Sequence, residues 1–120
     1  IAEQPEVLDG LKDLKQYGQM NLKAIMETHF DKSLTVEDFA SLTGRSVPTF
    51  RREFKLKFGT SPRKWIIQRR LEKAQALLTQ EKMTITAVAN QVGYGNTSHF
   101  IKAFKSAFGH TPKQQQALRF

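Results

Sequence analysis

Two stretches of this chain say nearly the same thing fifty residues apart. Laying TFRREFKLKFGTSP (49–62) over HFIKAFKSAFGHTP (99–112) pairs Phe50 with Phe100, Phe54 with Phe104, Lys55 with Lys105, Phe58 with Phe108, Gly59 with Gly109 and Pro62 with Pro112. Arg52 over Lys102 and Ser61 over Thr111 add like for like. Six identities in fourteen positions exceed chance, so the chain must fold as two copies of one supersecondary unit, a constraint that comes before any other.

The likeness continues upstream. TVEDFASLTG (35–44) lies over TITAVANQVG (84–93), pairing Val36 with Ile85, Phe39 with Val88, Ala40 with Ala89 and Gly44 with Gly93. The offset there is 49, so the second copy carries one extra residue between its glycine and its first phenylalanine. Thr35 and Thr84 are placed to cap short helices, with Asp38 in the capping-box position of the first. Gly44 and Gly93 stand where a short helix stops and turns, a place that favours positive φ. Ala40 and Ala89, each four residues earlier, allow a second helix to cross closely. Short helix, turn and longer helix is the helix-turn-helix arrangement.

In each longer helix the phenylalanines fall at i, i+4, i+8 and form a core stripe. The opposite face of the first carries Thr49, Arg51, Arg52 and Lys55; that of the second carries Thr97, Ser98, Ile101, Lys102 and Lys105. Such a face on a single helix is usually only solvated. Two of them at equivalent places read as recognition helices, each sized for a DNA major groove. Arg51 and Arg52 have the fork that binds guanine O6 and N7, and Ile101 suits a thymine methyl or partial burial against a neighbouring helix.

Charge supports this reading. The net charge is +8 over 120 residues, but residues 1–41 hold four Lys against eight acids, −4, while residues 42–120 hold fifteen Lys and Arg against three acids, +12. A basic helical body of this kind is suited to a polyanion. Cysteine is absent, which excludes disulfides and thiolate chemistry and fits a reducing cytoplasm. No apolar run approaches the length of a membrane span, and no signal peptide is visible.

Between the copies, SPRKWIIQRRLEKAQALLTQ (61–80) reads as one long helix with Ser61 as cap, Pro62 at its first position, and Trp65, Leu71, Ala74, Leu77 and Leu78 as its apolar face. About 18 residues would span roughly 27 Å, enough to let the units reach successive major-groove faces. Arg63, Lys64, Arg69 and Arg70 are candidates for phosphate contacts or for plain solvation. NLKAIMETHF (21–30) places Leu22, Ile25, Met26, His29 and Phe30 on one face of an opening helix, and PKQQQALRF after Thr111 begins a last one. The expected fold is all-α, two helix-turn-helix subdomains joined by a long helix, about seven helices in all. Its divisions are 1–20 as the linker or tail of a preceding domain, 21–60 as the first subdomain, 61–80 as the connecting helix and 81–120 as the second subdomain.

Catalysis is poorly supported. His29, His99 and His110 lack ligand spacing, and GYGN (93–96) has no strand before it, so it reads as a turn and not a phosphate loop. A helical protein-interaction or RNA-binding module is the other class that basic charge permits. The doubled alanine, glycine and phenylalanine framework argues against it, since RNA readers place their aromatics on sheets and loops.

Ala40-x-x-x-Gly44, Phe50-x-x-x-Phe54-Lys55, Gly59-x-x-Pro62, RRLEKAQALL, Ala89-Asn-Gln-Val-Gly93-Tyr94 and Phe100-x-x-x-Phe104-Lys105-x-x-x-Gly109-x-x-Pro112 occur in this order over about residues 20–116. In them the chain resembles the C-terminal DNA-binding domain of the AraC/XylS family of bacterial transcription regulators. The resemblance implies binding to double-stranded promoter DNA and activation through contact with RNA polymerase. It places base contacts at Pro48, Arg51 and Arg52 in the first unit and at Thr97, Ser98, Ile101 and Lys102 in the second. Ser46, Thr49, Lys55, Asn96, His99 and Lys105 are the expected phosphate contacts. No cofactor and no metal are implied, and a small-molecule effector only through an additional N-terminal domain, unless the chain is a short member lacking one.

Overall fold

A computed structural model of the chain describes residues 22–118. The linker expected over 1–20, and Asn21 at the head of the opening helix, lie outside the described residues. Within them the chain forms seven helices and no strand. Helix α1 covers residues 22–29, followed by α2 (Val36–Leu42), α3 (Val47–Phe58), α4 (Pro62–Gln80), α5 (Ile85–Gln91), α6 (Thr97–Phe108) and α7 (Pro112–Gln116). The last is shorter than its sequence suggests: Ala117 and Leu118 form a turn after Gln116.

The boundaries follow from side chains that satisfy the free N–H groups of each first turn. Thr35 closes a capping box with Asp38, its Oγ1 accepting from the Asp38 N–H at 3.1 Å while Asp38 Oδ2 accepts from the Thr35 N–H at 2.9 Å. Thr84 accepts from the Ala87 N–H at 3.0 Å at the head of α5. Ser61 caps α4 by accepting from the Lys64 N–H, with Pro62 behind it, and Thr111 and Gln114 form a second capping box at α7.

The turns of the two units share one hydrogen-bond pattern. Gly44 N–H donates to the Ser41 carbonyl and Arg45 N–H to that of Ala40; Gly93 N–H donates to Asn90 and Tyr94 N–H to Ala89. This is the Schellman closure, which needs a left-handed residue at the glycine. Gly44 and Gly93 supply it with φ of 71° and 97°.

Each unit has its own core. Leu22, Met26, Phe39, Ala40, Phe50, Phe54 and Ile66 form the first, with Phe58 and Trp65 packed at its edge. Leu71, Ala74, Leu78, Val88, Ala89, Val92, Phe100 and Phe104 form the second, with Tyr94 and Phe108 beside it. In both copies the first two phenylalanines of the stripe are fully buried and the third is half-buried. Helix α4 is more than a connector, because Ile66 belongs to the first core and Leu71, Ala74 and Leu78 to the second. Its buried side chains near the start are Pro62 and Ile66, whereas Trp65, expected on the apolar face, is half-exposed and lies edge-on against Phe54 at 5.8 Å.

Candidate nucleic-acid interface

With the phenylalanine stripe turned inward, α3 and α6 must present their other face to solvent. On α3 that face is Pro48, Arg51, Arg52 and Lys55, at i, i+3, i+4 and i+7; on α6 it is Ser98, Ile101, Lys102 and Lys105 at the same spacing. The two faces are equivalent position for position, fifty residues apart. Seven of these eight side chains are plainly exposed; Ile101 keeps 37% of its surface. It is therefore partly covered and still offers apolar area outward. Thr49 and Thr97, in the first turns, are half-buried, and His99 is exposed.

Ser46 and Asn96 turn out to be the N-caps of these helices. Ser46 Oγ accepts from the Thr49 N–H and donates to Thr49 Oγ1 at 3.0 Å, and Asn96 Oδ1 accepts from the His99 N–H at 3.0 Å. Their acceptor oxygens are thus committed to setting where each recognition helix begins. The extra residue of the second copy lies in the turn, where Tyr94 and Gly95 separate Gly93 from Asn96, against Arg45 alone between Gly44 and Ser46.

Charge on the α4 side divides in a way the sequence left open. Arg63 and Lys64 are exposed. Arg69 and Arg70 are neither free for phosphate nor merely solvated. Arg69 pairs with Glu27 at 2.6 Å and lies over the Phe30 and Trp65 rings, 4.7 and 5.0 Å from their centroids. Arg70 donates to the carbonyls of Phe30 and Lys32 at 2.7 and 2.5 Å. Burial pushes its guanidinium below the usual arginine value, and the nearby Tyr94 and Asp31 act against that shift. Both arginines hold the fold together.

A cleft of about 750 Å³ opens between the units. Arg51, Lys55 and Arg63 line it from the first unit and the head of α4, and Arg70 and Tyr94 close it from behind. Arg51, Lys55 and Arg63 stand there against one carboxylate, Glu37, while Arg70 is committed to its two carbonyls, so the potential in the cleft is positive. Leu56, which the pattern of charges had hidden, is 81% exposed on α3 beside Glu53 and Lys57.

Two helices of one design, each held by a glycine turn and each showing a polar and basic face, define a double helix-turn-helix DNA-binding protein. A family model described as a helix-turn-helix domain matches residues 39–117. The chain belongs to the AraC/XylS-type helix-turn-helix family of DNA-binding transcription regulators. It is 30% identical over 112 residues to the HTH-type transcriptional regulator ExsA of Pseudomonas aeruginosa, a match that covers 93% of this chain and 40% of that protein. It thus spans less than half the length of that relative. Among solved structures, the C-terminal domain of AraT, a response regulator from Geobacillus stearothermophilus, superposes with a TM-score of 0.79 at 31% identity, over 86% of each chain. The DNA-binding domain of AdpA, a global transcriptional factor solved in complex with a target DNA, gives 0.77 at 26% identity, over 82% of this chain and 89% of that one. No helix of the described residues is long and apolar enough to cross a membrane.

Proposed function

We propose that this chain is the DNA-binding part of a bacterial transcription activator and that it lays α3 and α6 in successive major grooves of one promoter site. The observation that carries this reading is the equivalence of the two outward faces, 48-51-52-55 and 98-101-102-105, on helices that each begin at a side-chain cap after the same kind of glycine turn. In it Pro48, Arg51 and Arg52 meet bases in one groove and Thr97, Ser98, Ile101 and Lys102 in the other. Arginine forks select guanine, while a hydroxyl, an apolar branch and one ammonium make the second block different in chemistry. Pro48 has no N–H to donate and acts by shape. Phosphates are met by Thr49, Lys55, His99 and Lys105 and by the helix heads that Ser46 and Asn96 set. Because the faces differ, the site they read is asymmetric and one chain suffices.

In this reading residues 21–60 and 81–120 are the two reading subdomains, 61–80 joins them, and 1–20 leads in from the remainder of a longer regulator, which would hold any effector or dimerisation function. Activation proceeds by touching RNA polymerase. Relatives such as the transcriptional activator VirF of Yersinia enterocolitica, 33% identical over 112 residues, support the activator assignment.

Selection from random duplex DNA tests the reading. Two blocks about one helical turn apart are expected. Arg52→Ala should weaken the preferred site by about 1–3 kcal/mol and blur one block, and Lys102→Ala should blur the other. Equal losses on every sequence would make these residues phosphate contacts only. Binding should also fall steeply with salt; a flat salt response with no enrichment would instead point to a protein-binding helical module.

A further inference from the structure

The segment between α1 and α2 is packed on the first unit through Phe30 and Leu34 and reaches the second through Ser33. Ser33 Oγ donates to the Gly93 carbonyl at 2.9 Å, across sixty residues of chain. Asp31 Oδ2 accepts from Lys73 Nζ at 2.5 Å, and the Arg70 guanidinium holds the Phe30 and Lys32 carbonyls with two of its nitrogens. The same guanidinium sits 5.9 Å from the centroid of the Tyr94 ring, in the turn of the second unit. The approach is close enough to exclude a side chain: a Cβ at Gly93 would stand 2.9 Å from the Asp31 carbonyl oxygen and 3.0 Å from that of Lys32. Gly44, its equivalent in the first unit, would meet nothing within 4 Å.

The two apolar cores do not share these contacts. A joint made by α4 alone would leave the units free to bend and twist about one helix, whereas a second attachment through directional hydrogen bonds fixes their rotation. We propose that the Phe30–Leu34 segment, clasped to α4 and to the Gly93 turn, is the positioning device that sets how many base pairs separate the two half-sites. This rests on the two-groove reading given above. Inserting one base pair moves the second half-site by about 3.4 Å along the duplex and by about 35° around it. Contacts of 2.5 to 2.9 Å cannot follow such a shift without breaking, so the clasp makes spacing part of the specificity.

The test uses the 120-residue chain on its selected site and on versions with one base pair inserted or removed between the blocks. The clasp predicts a wild-type loss of about tenfold or more on either change, comparable to a mismatch. It predicts that Ser33→Ala/Asp31→Asn reduces this penalty below about threefold while base preference within each block is unchanged. Circular dichroism confirms that the double variant is folded, and Ser33→Ala alone, which removes one hydroxyl, takes its place if it is not. A folded variant with the wild-type spacing penalty overturns the inference, as does a wild type indifferent to spacing. Failure of the wild type to select two blocks is a different result and removes the two-groove reading itself.

Discussion

At the same place in the turn, the first unit carries Arg45 and the second Tyr94. Arg45 Nε reaches Glu53 Oε1 at 2.7 Å and its Nη1 donates to the Thr43 carbonyl at 2.9 Å. Tyr94 instead packs against Phe100, the rings tilted and their centroids 5.5 Å apart, and the residue equivalent to Glu53 is Ala103. The helix-ending position before each glycine differs in the same sense: Thr43 returns its hydroxyl to the carbonyls of Phe39 and Ala40, while Val92 is fully buried. One unit closes its turn with charge and hydroxyls, the other with apolar contact. The backbone and the phenylalanine stripe are common to both, so the satellite positions are interchangeable between polar and apolar solutions provided that each buried polar group finds its partner. The second unit does keep one buried polar residue, Gln115, and it is fully engaged, donating to Thr79 Oγ1 at 3.0 Å and meeting His110 Nε2 at 2.6 Å.

If the stripe is the shared support, cutting it should hurt both units alike. Phe54 lies against Phe58 at 4.2 Å and Phe50 at 5.7 Å, and Phe104 against Phe108 at 4.7 Å and Phe100 at 5.8 Å. Phe54→Ala and Phe104→Ala are each expected to cost about 3–5 kcal/mol in denaturant unfolding. Because the cores are separate, each should also spare part of the helix signal of the other unit. A single transition of equal size for both, with no residual structure, would mean that α4 couples the cores into one; an unmoved midpoint for either would remove that phenylalanine from the core.

The glycines should separate the units. Gly44→Ala meets open space, so its cost is the left-handed backbone alone, about 1–2 kcal/mol. Gly93→Ala adds a collision with the backbone of Asp31 and Lys32, and overpacking of this kind adds about 1–3 kcal/mol. Unfolding of the two variants side by side reads the difference directly. Equal costs would show that the Asp31 segment moves aside freely and that the clasp is soft.

Much of this was readable in the chain. A glycine forced to positive φ, a cap three residues before the N–H it serves and a stripe at every fourth position are local rules, and they located α2 to α6 and the outward face of each recognition helix. What escaped was long-range. Arg69 and Arg70 looked like spare cations because their partners, Glu27, Phe30 and Lys32, are about forty residues away, and helical periodicity carries no information about which loop will return to cover a given turn. Ile66 is a related case: the sequence pattern puts Trp65 on the apolar face, but Phe30, just after α1, meets the Trp65 ring edge-on at 6.2 Å at the edge of the core that Ile66 enters. The caps are legible for the short helices, and Ser46 and Asn96 play the same local acceptor role at the heads of α3 and α6.

The smallest expected effect belongs to the ion pair that joins the units, and pH is the way to see it. Burial of Asp31 pushes its carboxyl up, but the hydrogen bond and charge of Lys73, with Lys32 beside it, outweigh that and hold it below the ordinary carboxylate value. A group whose folded value is depressed stabilises the fold above its unfolded value, about 3.9, and loses that contribution as pH falls through the lower folded one. Wild type should therefore be more stable than Asp31→Asn at pH 7, and the gap should narrow only below about pH 4. Urea unfolding of both proteins from pH 7 down to 3 measures it. A gap that stays constant to pH 3 would show that Asp31 acts through its shape and hydrogen bonding, leaving Ser33 and Arg70 as the contacts that hold one unit to the other; a gap that closes near pH 6 would place the titration on some other group.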